Sequence, residues 1–243
     1  MQQLATQMPY VKFILPTAPT QPVTLNMGMA MPSWYDIVGL DERSNEECQG
    51  ILQSRDRIHD ILRYENNRGV PYSRMALAGF SQGGALCLYA GLSVSADHQL
   101  AGILVMSGYL AGASTFQLTA GLEKTPILHC HGTQDPIVHY SLANKSKDIL
   151  SMKGITNYDI KTYPGMQHTA IQEEIDDAMK FLRDILPPLE DRYQIPIKIK
   201  KPVDMSIAEL KEAIYREGLY DQARNLVDKQ ELVTLLQGHR ELC

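Results

Sequence analysis

The sequence predicts an α/β fold with a mostly parallel β-sheet, followed by a small helical module. Short apolar or β-branched runs alternate with longer amphipathic segments between residues 10 and 186, and such alternation of strand and helix is typical of parallel sheets. The apolar runs are nearly continuous, which is the pattern of strands covered on both faces. With 243 residues, 44% of them hydrophobic and 21% charged, the chain has the composition of a globular protein.

Five runs are predicted to be strands because each is apolar or β-branched and ends at glycine, proline or polar residues. They cover residues 10–15, 74–79, 101–107, 125–132 and 158–164. The segments between them have helical character and cover residues 48–67, 83–95, 140–153 and 170–186.

Residues 16–40 form a long connection that is rich in proline and methionine and contains Trp34, the single tryptophan of the chain. A connection of this length in a compact enzyme usually lines or covers a site. The alternative is a packed surface loop whose methionines fill gaps in the core.

The last part of the sequence predicts a separate module. Four prolines between residues 187 and 202 indicate a linker over residues 190–202, which divides residues 1–189 from residues 203–243. Two capping boxes, Ser206 with Glu209 and Asp228 with Glu231, each precede an apolar run with helical spacing. These signals predict two helices, which are expected to end near Gly218 and Gly238.

Composition restricts the environment and the partners. No run approaches the roughly 20 apolar residues that a bilayer requires, and the first ten residues lack the pattern of a signal peptide, so a cytoplasmic location is expected. The net charge of −5 argues against broad binding to nucleic acid or to an anionic membrane. Four widely spaced cysteines are predicted to remain reduced thiols.

The segment GFSQGG, residues 79–84, follows a predicted strand and precedes a predicted helix. Gly79 to Gly83 match G-x-S-x-G, in which a serine lies on a sharp turn between strand and helix. This turn predicts that neither glycine has room for a Cβ atom, and that the main-chain N–H of Gln82 faces a developing oxyanion. Ser81 is therefore the candidate nucleophile.

A serine nucleophile requires a general base and a group that orients the base. Asp135 follows the strand predicted at 125–132, and His168 follows the strand predicted at 158–164. Because active sites of open α/β sheets form where parallel strands end, Ser81, Asp135 and His168 are expected to lie together. Asp135 would accept the Nδ1–H of the imidazole and leave Nε2 to take the serine proton.

Other residues offer alternatives. Asp36 is a second candidate for the acid, although it precedes Ser81 in the chain, against the order expected for this motif. His129 and His131 could be mistaken for metal ligands, but no third histidine or cysteine accompanies them, so a structural role is favoured and no metal is predicted. Cys87 is assigned to the core. The histidines expected to face solvent are His59, His98, His139 and His239.

Four segments together resemble the acyl-protein thioesterase and lysophospholipase-like carboxylesterase branch of the α/β-hydrolases over about residues 9–189. They read LPTAPTQPVTLNMGMAMPSWYDI, LAGFSQGGALCLYAGL, LHCHGTQDPIV and KTYPGMQH. The resemblance implies that Ser81 is the nucleophile, Asp135 the orienting acid and His168 the base, with Gln82 as one oxyanion donor. It also implies an acyl-chain groove bordered by a flexible apolar loop. The loop residues concerned are Leu25, Met27, Met29 and Trp34.

Two departures from the family pattern bear on these expectations. The family begins with further strands that end in an L-H-G-x-G-D segment, whose backbone supplies a second oxyanion N–H, and this sequence starts after it. An N-terminally shortened hydrolase is expected to have a weaker oxyanion hole and an unpaired strand edge. Residues 203–238 also resemble SAP-like helix–loop–helix modules, whereas the family usually ends before this point.

The resemblance implies a cofactor-free serine hydrolase that cleaves long-chain acyl thioesters of protein cysteines, or related acyl esters such as lysophospholipids. Its expected partners are S-acylated proteins or acyl-ester lipids, with transient contact to a membrane surface, and dimerisation is left open. One alternative is a catalytically impaired acyl-binding protein with an incomplete oxyanion hole. Another is nucleic-acid binding by residues 190–243, which their nine Lys and Arg against ten Asp and Glu disfavour.

Overall fold

The structure is a computed structural model that describes residues 7–39, 47–189, 200–217, 219–224 and 226–242. The chain divides into two compact units, Met1–Ile195 and Pro196–Cys243. Most of the predicted linker over residues 190–202 lies outside the described residues.

Strands and helices alternate along the larger unit. Its strands are β1 (Thr20–Val23), β2 (Met29–Pro32), β3 (Ala76–Phe80), β4 (Gly102–Met106), β5 (Ile127–Gly132) and β6 (Tyr158–Tyr163). Its helices are α1 (Ile51–Asn67), α2 (Gln82–Gly91), α3 (Tyr140–Met152) and α4 (Gln172–Ile185). All four helices predicted for this unit and four of the five predicted strands are therefore present, with their ends displaced by a few residues.

Strands β3 to β6 form one parallel sheet in the order β3-β4-β5-β6. The register places Phe80 beside Met106 and Gly132 beside Tyr163. The four strands consequently end at one edge, which is where loops and helix starts can bring polar residues together.

The sheet is covered by helices on both faces. Along β4, successive side chains point to opposite faces: Ile103 and Val105 join a buried apolar cluster with residues of α2 and α3. Leu104 joins a different cluster with residues of α4. Burial of both faces explains why the strands appear in the sequence as continuous apolar runs.

The prediction of a strand at residues 10–15 is wrong. Residues 12–19 have no regular secondary structure, and within the described part of the chain β3 pairs only with β4. Val11 and Phe13 nevertheless pack against the cluster beside α4. Their apolar character indicates burial, whereas a strand also requires a neighbour that accepts and donates backbone hydrogen bonds.

The predicted connection at residues 16–40 contains a short hairpin. Strands β1 and β2 pair antiparallel, with Thr20 opposite Pro32 and Val23 opposite Met29. Met27 lies at the tip in a left-handed conformation, with φ of 56°.

Within its described residues, the smaller unit contains three α-helices, α5 (Ile207–Arg216), α6 (Tyr220–Ala223) and α7 (Lys229–Leu242). The predicted capping box at the start of α5 is present: Ser206 Oγ accepts from the Glu209 N–H at 3.2 Å, and Glu209 Oε2 accepts from the Ser206 N–H at 2.6 Å. The box predicted before α7 is present in part: Glu231 Oε2 accepts from the Asp228 N–H at 3.4 Å, whereas Asp228 Oδ1 accepts from the Gln230 N–H at 2.7 Å. The unit has its own buried apolar cluster, whose residues are Met205, Leu210, Ala213, Ile214, Leu219, Leu232, Val233 and Leu236.

The prediction that Gly238 ends the last helix is wrong, because α7 continues through it to Leu242. A glycine in a helix interior costs only about 1 kcal/mol relative to alanine, so it does not by itself end a helix. Gly218, the other predicted end point, lies outside the described residues. No helix in the described ranges is long and apolar enough to cross a membrane.

Candidate active site

Ser81 occupies the turn between β3 and α2. Its backbone has φ of 54° and ψ of −122°, a conformation that is strained for a residue with a side chain. The Ser81 N–H donates to the carbonyl of Met106, the last residue of β4, at 2.8 Å. This bond holds the serine at the edge where the parallel strands end.

The glycines around Ser81 have different roles. A Cβ atom on Gly79 would lie 2.3 Å from the carbonyl carbon of Gly83, so Gly79 cannot be replaced without movement of the backbone. A Cβ atom on Gly83 would meet nothing within 4 Å, and the prediction that this position lacks space is wrong. The tight second position is Gly84, where a Cβ atom would lie 2.9 Å from the carbonyl oxygen of Gly79. The first turn of α2 therefore approaches β3 with the backbone of both Gly83 and Gly84, but only Gly84 has its own Cβ direction blocked.

The structure brings Ser81, His168 and Asp135 together. His168 Nε2 lies 3.0 Å from Ser81 Oγ, and His168 Nδ1 lies 2.7 Å from Asp135 Oδ2. A carboxylate accepts hydrogen bonds, so Nδ1 carries the ring proton and Nε2 is free to accept the serine hydroxyl proton. Phe80 packs beside the imidazole, with ring centroids 4.8 Å apart.

The Asp135 carboxylate is held in its charged form although its side chain is fully buried. Burial raises the pKa of this carboxyl, but the hydrogen bonds from His168 and from the N–H groups of Val138 and Ile137 outweigh burial, and the net pKa lies below its usual value. Those two N–H groups donate to Asp135 Oδ1 at 2.9 and 2.8 Å. An ionised Asp135 fixes the orientation of His168 and can stabilise its imidazolium form.

The side chain of Gln82 binds the segment that follows the hairpin. Its Oε1 accepts from the N–H of Trp34 at 3.1 Å. Its Nε2 donates to Ser33 Oγ and to the carbonyl of Tyr35, both at 2.8 Å. The residue after Ser81 therefore connects α2 to residues 33–35, a function of its side chain that the motif did not predict.

A pocket of about 740 Å³ adjoins Ser81. Its volume lies in the range of small-molecule sites. Its apolar lining comes from the turn of the hairpin and the segment after it, the residues that follow β4 and β5, and helix α3. Representative lining residues are Leu25, Ile37, Leu110, Leu142 and Ile149. A long, mostly apolar ligand could extend from Ser81 along this lining.

Of the four loop residues predicted to border the groove, only Leu25 lines this pocket. Met27 and Met29 point to solvent, with 89% and 59% of their surface exposed. Trp34 packs against the core cluster around α1 and α2. The predictions for Met27, Met29 and Trp34 are therefore corrected: the hairpin holds both methionines toward solvent, and the apolar lining besides Leu25 comes from Ile37, the residues after β4 and β5, and α3.

The other residues considered in the sequence analysis bind or pack against different groups in the structure. The Asp36 carboxylate accepts from the N–H and Oγ1 of Thr24 at 2.7 and 2.6 Å, so it stabilises the hairpin. Cys87 packs against the cluster shared by α2 and α3. His59 is half-buried, and its Nε2 contacts the carbonyl of Ala90 at 2.8 Å, so the expectation that it faces solvent is wrong.

His129 and His131 are fully buried. Within the described ranges, no cluster of three or more potential ligands could hold a metal ion. His131 lies next to Asp135, and the distance between His131 Nε2 and Asp135 Oδ2 is 3.6 Å. Neither this proximity nor the contribution of α3 to the pocket had a signal in the sequence, because both depend on how the turn after β5 and helix α3 fold against the sheet.

A parallel sheet with a serine on a strained strand-to-helix turn, hydrogen-bonded in series to a histidine and an aspartate, defines an α/β-hydrolase. A profile of the phospholipase/carboxylesterase family matches residues 1–186, and the chain belongs to this family. The resemblance found in the sequence motifs is thereby confirmed.

Similarity to known proteins supports this placement. The chain is 43% identical over 193 residues to acyl-protein thioesterase 1 of Neurospora crassa, covering 76% of this chain and 78% of that protein. The crystal structure of Arabidopsis thaliana SOBER1 is similar with a TM-score of 0.67 and 28% identity, covering 76% of this chain and 89% of that one. Zea mays acyl-protein thioesterase 2 is similar with a TM-score of 0.61 and 26% identity, covering 76% and 88%.

Proposed function

We propose that this protein is a serine hydrolase that cleaves long-chain acyl thioesters of protein cysteines, or related acyl esters such as lysophospholipids. The observation that carries this proposal is the continuous hydrogen-bonded series from Ser81 Oγ through His168 to Asp135. The relatives named acyl-protein thioesterase support the class of substrate. The apolar pocket beside Ser81 suits an acyl chain.

In the first half of the reaction, Ser81 Oγ attacks the carbonyl carbon of the thioester while His168 Nε2 takes the hydroxyl proton. The main-chain N–H of Gln82, at the start of α2, stabilises the oxyanion. The carbon–sulfur bond then breaks, and the leaving sulfur receives the proton from His168. Ser81 is left as an acyl ester, and the protein thiol departs.

In the second half, water replaces the thiol. His168 accepts a proton from water as the hydroxide attacks the acyl ester, and returns it to Ser81 Oγ as that oxygen leaves. Asp135 remains ionised throughout and stabilises the imidazolium that forms in each half. Every step uses side chains and main-chain groups of this protein together with water. Such an enzyme would act in the cytoplasm, in transient contact with membrane surfaces that carry S-acylated proteins or acyl-ester lipids.

Labelling with a fluorophosphonate probe tests the nucleophile. Stoichiometric labelling of the folded chain that is lost in Ser81→Ala is the expected result. Ser107→Ala is a matched control, because Ser107 also ends a strand with a positive φ, of 48°, and this variant should remain labelled. A folded wild-type chain that takes up no probe would favour an acyl-binding protein without hydrolase activity.

Turnover of a chromogenic acyl ester tests the acid. Asp135→Asn should lower kcat by about 10³–10⁴-fold, because an amide that donates to Nδ1 holds His168 in the wrong tautomer. Asp36→Asn should keep the wild-type kcat, since Asp36 binds Thr24. The opposite ranking of the two variants would assign the acid to Asp36.

A further inference from the structure

A series of hydrogen-bonded, buried polar side chains runs from Tyr158 on β6 to the turn that contains Asp135 and Val138. The hydroxyl of Tyr158 lies 2.7 Å from His129 Nδ1, and His129 Nε2 lies 3.2 Å from His131 Nδ1. His131 Nε2 lies 2.7 Å from the carbonyl oxygen of Val138. The two histidine rings are fully buried, so their nitrogens need hydrogen-bond partners of this kind, and His129 also bonds to the main chain of Gly108.

The partner at the end of this chain determines where the protons lie. A carbonyl oxygen only accepts hydrogen bonds, so His131 Nε2 carries a proton and donates it to Val138. In the neutral ring, His131 Nδ1 is then an acceptor, which requires that His129 Nε2 carry a proton. His129 Nδ1 is an acceptor in turn, for the hydroxyl of Tyr158. The three donors, in order toward the site, are therefore the Tyr158 hydroxyl, His129 Nε2 and His131 Nε2. Each histidine carries its ring proton on Nε2.

Both rings are neutral in this arrangement. Burial lowers the pKa of His129 to about 3, with His131 as the second cause. Burial is also the main cause that lowers the pKa of His131, and it outweighs the bond to Val138 and the charge of Asp135. The other titratable side chains around His131 are His168 of the site and Tyr140 of α3, whose ring centroid lies 6.0 Å from that of His131.

Val138 connects His131 to the site. Its N–H donates to Asp135 Oδ1 at 2.9 Å, while its carbonyl accepts from His131. His131 thus binds the carbonyl of Val138, and the N–H of the same residue donates to the carboxylate of Asp135. The distance of 3.6 Å between His131 Nε2 and Asp135 Oδ2 is too long for a direct hydrogen bond.

We propose that His131 is a positioning residue for the reaction, which acts through Val138 to hold Asp135 in the place where it orients His168. This inference rests on the proposed function for its effect on catalysis. The alternative is a histidine that satisfies polar groups in the core without influence on the site. The two readings differ in what they predict for the protonation of His168.

The test compares His131→Gln with His131→Asn, both of which introduce an amide. The nitrogen of glutamine reaches about as far as Nε2 and can donate to the carbonyl of Val138, whereas that of asparagine reaches only as far as Nδ1. We expect His131→Asn to lower kcat by about 10- to 100-fold, as misplacement of a catalytic group by about 1 Å does. KM should be unchanged, and His131→Gln should recover most of the lost kcat.

The pH profile separates positioning from stability. If Asp135 is displaced, the imidazolium of His168 loses part of the electrostatic stabilisation that the carboxylate provides. The acidic limb of kcat/KM should therefore move to lower pH in His131→Asn, by about half a unit or more. His131→Gln should keep the wild-type limb. If His131 had only a structural role in the core, His131→Asn would lower folding stability without moving the acidic limb of kcat/KM.

His59→Asn is the matched control, since His59 makes the same kind of bond to a main-chain carbonyl, that of Ala90, and should keep both kcat and the acidic limb. An NMR titration of His168 in each folded variant gives the same answer without turnover. If the wild-type chain lacks esterase activity, the proposed function fails while the NMR titration still tests the role of His131. A His168 pKa that is equal in wild type, His131→Gln and His131→Asn would overturn the inference.

Discussion

Ser81 and Ser107 hold left-handed backbone conformations, with φ of 54° and 48°, that serine rarely adopts. Strain of this kind costs about 1–3 kcal/mol per residue and persists only where neighbours enforce it. Each serine is fixed to the next strand, Ser81 N–H to Met106 and Ser107 N–H to Cys130, at 2.8 and 2.9 Å. The hydrogen bond to the neighbouring strand therefore helps to keep Ser81 in its strained conformation.

Glu174 is a buried residue with no evident part in the proposed chemistry. It lies in the first turn of α4, and neither carboxyl oxygen has a hydrogen bond of normal geometry within the described residues. Burial raises the pKa of this carboxyl to about 7, and the N–H of Ile171 offsets burial only in part. Near neutral pH, the folded protein therefore holds a proton that the unfolded chain has released.

This residue predicts a pH-dependent stability. Between pH 4.5, the ordinary value, and about 7, the unfolded chain binds fewer protons at Glu174 than the folded protein, so stability falls as pH rises. Glu174→Gln should be more stable than wild type by roughly 2–3 kcal/mol at pH 8 and equal to it near pH 4. Glu173→Gln, at the exposed neighbouring position, is the control. Denaturant unfolding at both pH values measures the effect, and parallel curves for wild type and Glu174→Gln would contradict it.

At the scale of elements, the start of α2 is joined to the segment that follows the hairpin through the side chain of Gln82. This side chain uses its oxygen and its amide nitrogen on three groups of residues 33–35. The same segment leads to Ile37, which lines the pocket. Gln82, the residue that follows Ser81, thus shapes the pocket wall with its side chain, while its main-chain N–H is the proposed oxyanion donor.

Replacement of Gln82 by leucine should separate these two roles. Gln82→Leu keeps the main-chain N–H but loses the three side-chain bonds, so we expect a higher KM for long acyl chains and a loss of about 1–3 kcal/mol in unfolding free energy. Gln172→Leu is a matched control, because Gln172 also begins a helix, and its amide binds the exposed Asp176. Kinetics on short and long acyl esters provide the measurement. Equal KM values for Gln82→Leu and wild type on both esters would show that residues 33–35 keep their place without the side-chain bonds of Gln82.

At the scale of the whole molecule, we propose that residues 1–189 and residues 203–243 fold independently. The apolar clusters that cover the sheet draw on residues of the larger unit. The three helices of the smaller unit bury a cluster of their own. Separate cores are the usual mark of separate domains.

Deletion of residues 190–243 should therefore leave turnover of small soluble esters unchanged. The hydrolase residues and the pocket lining all precede residue 190. Steady-state kinetics of the shortened and full-length chains, with folding checked by circular dichroism, make the comparison. Insolubility or loss of cooperative unfolding in the shortened chain would show that the C-terminal helices complete the hydrolase core.

The sequence by itself determined the parallel sheet, its helices and the three residues that meet at the sheet edge. These features depend on local patterns: continuous apolar runs make covered strands, and a serine between glycines after a strand makes a sharp turn. Asp135 and His168 each follow a strand directly, so the rule that parallel strands end at one edge was enough to bring them to Ser81.

Only the tertiary structure decided which side chains form the pocket and which support the site. The packing of Phe13 against the core without a strand, the outward direction of Met27 and the lining by Leu142 all depend on contacts between residues far apart in the chain. Apolar character predicts that a side chain is buried, but it carries no information about the surface against which it packs. The same holds for His131, whose link to Asp135 exists because the turn after β5 folds back and places the carbonyl oxygen of Val138 2.7 Å from His131 Nε2.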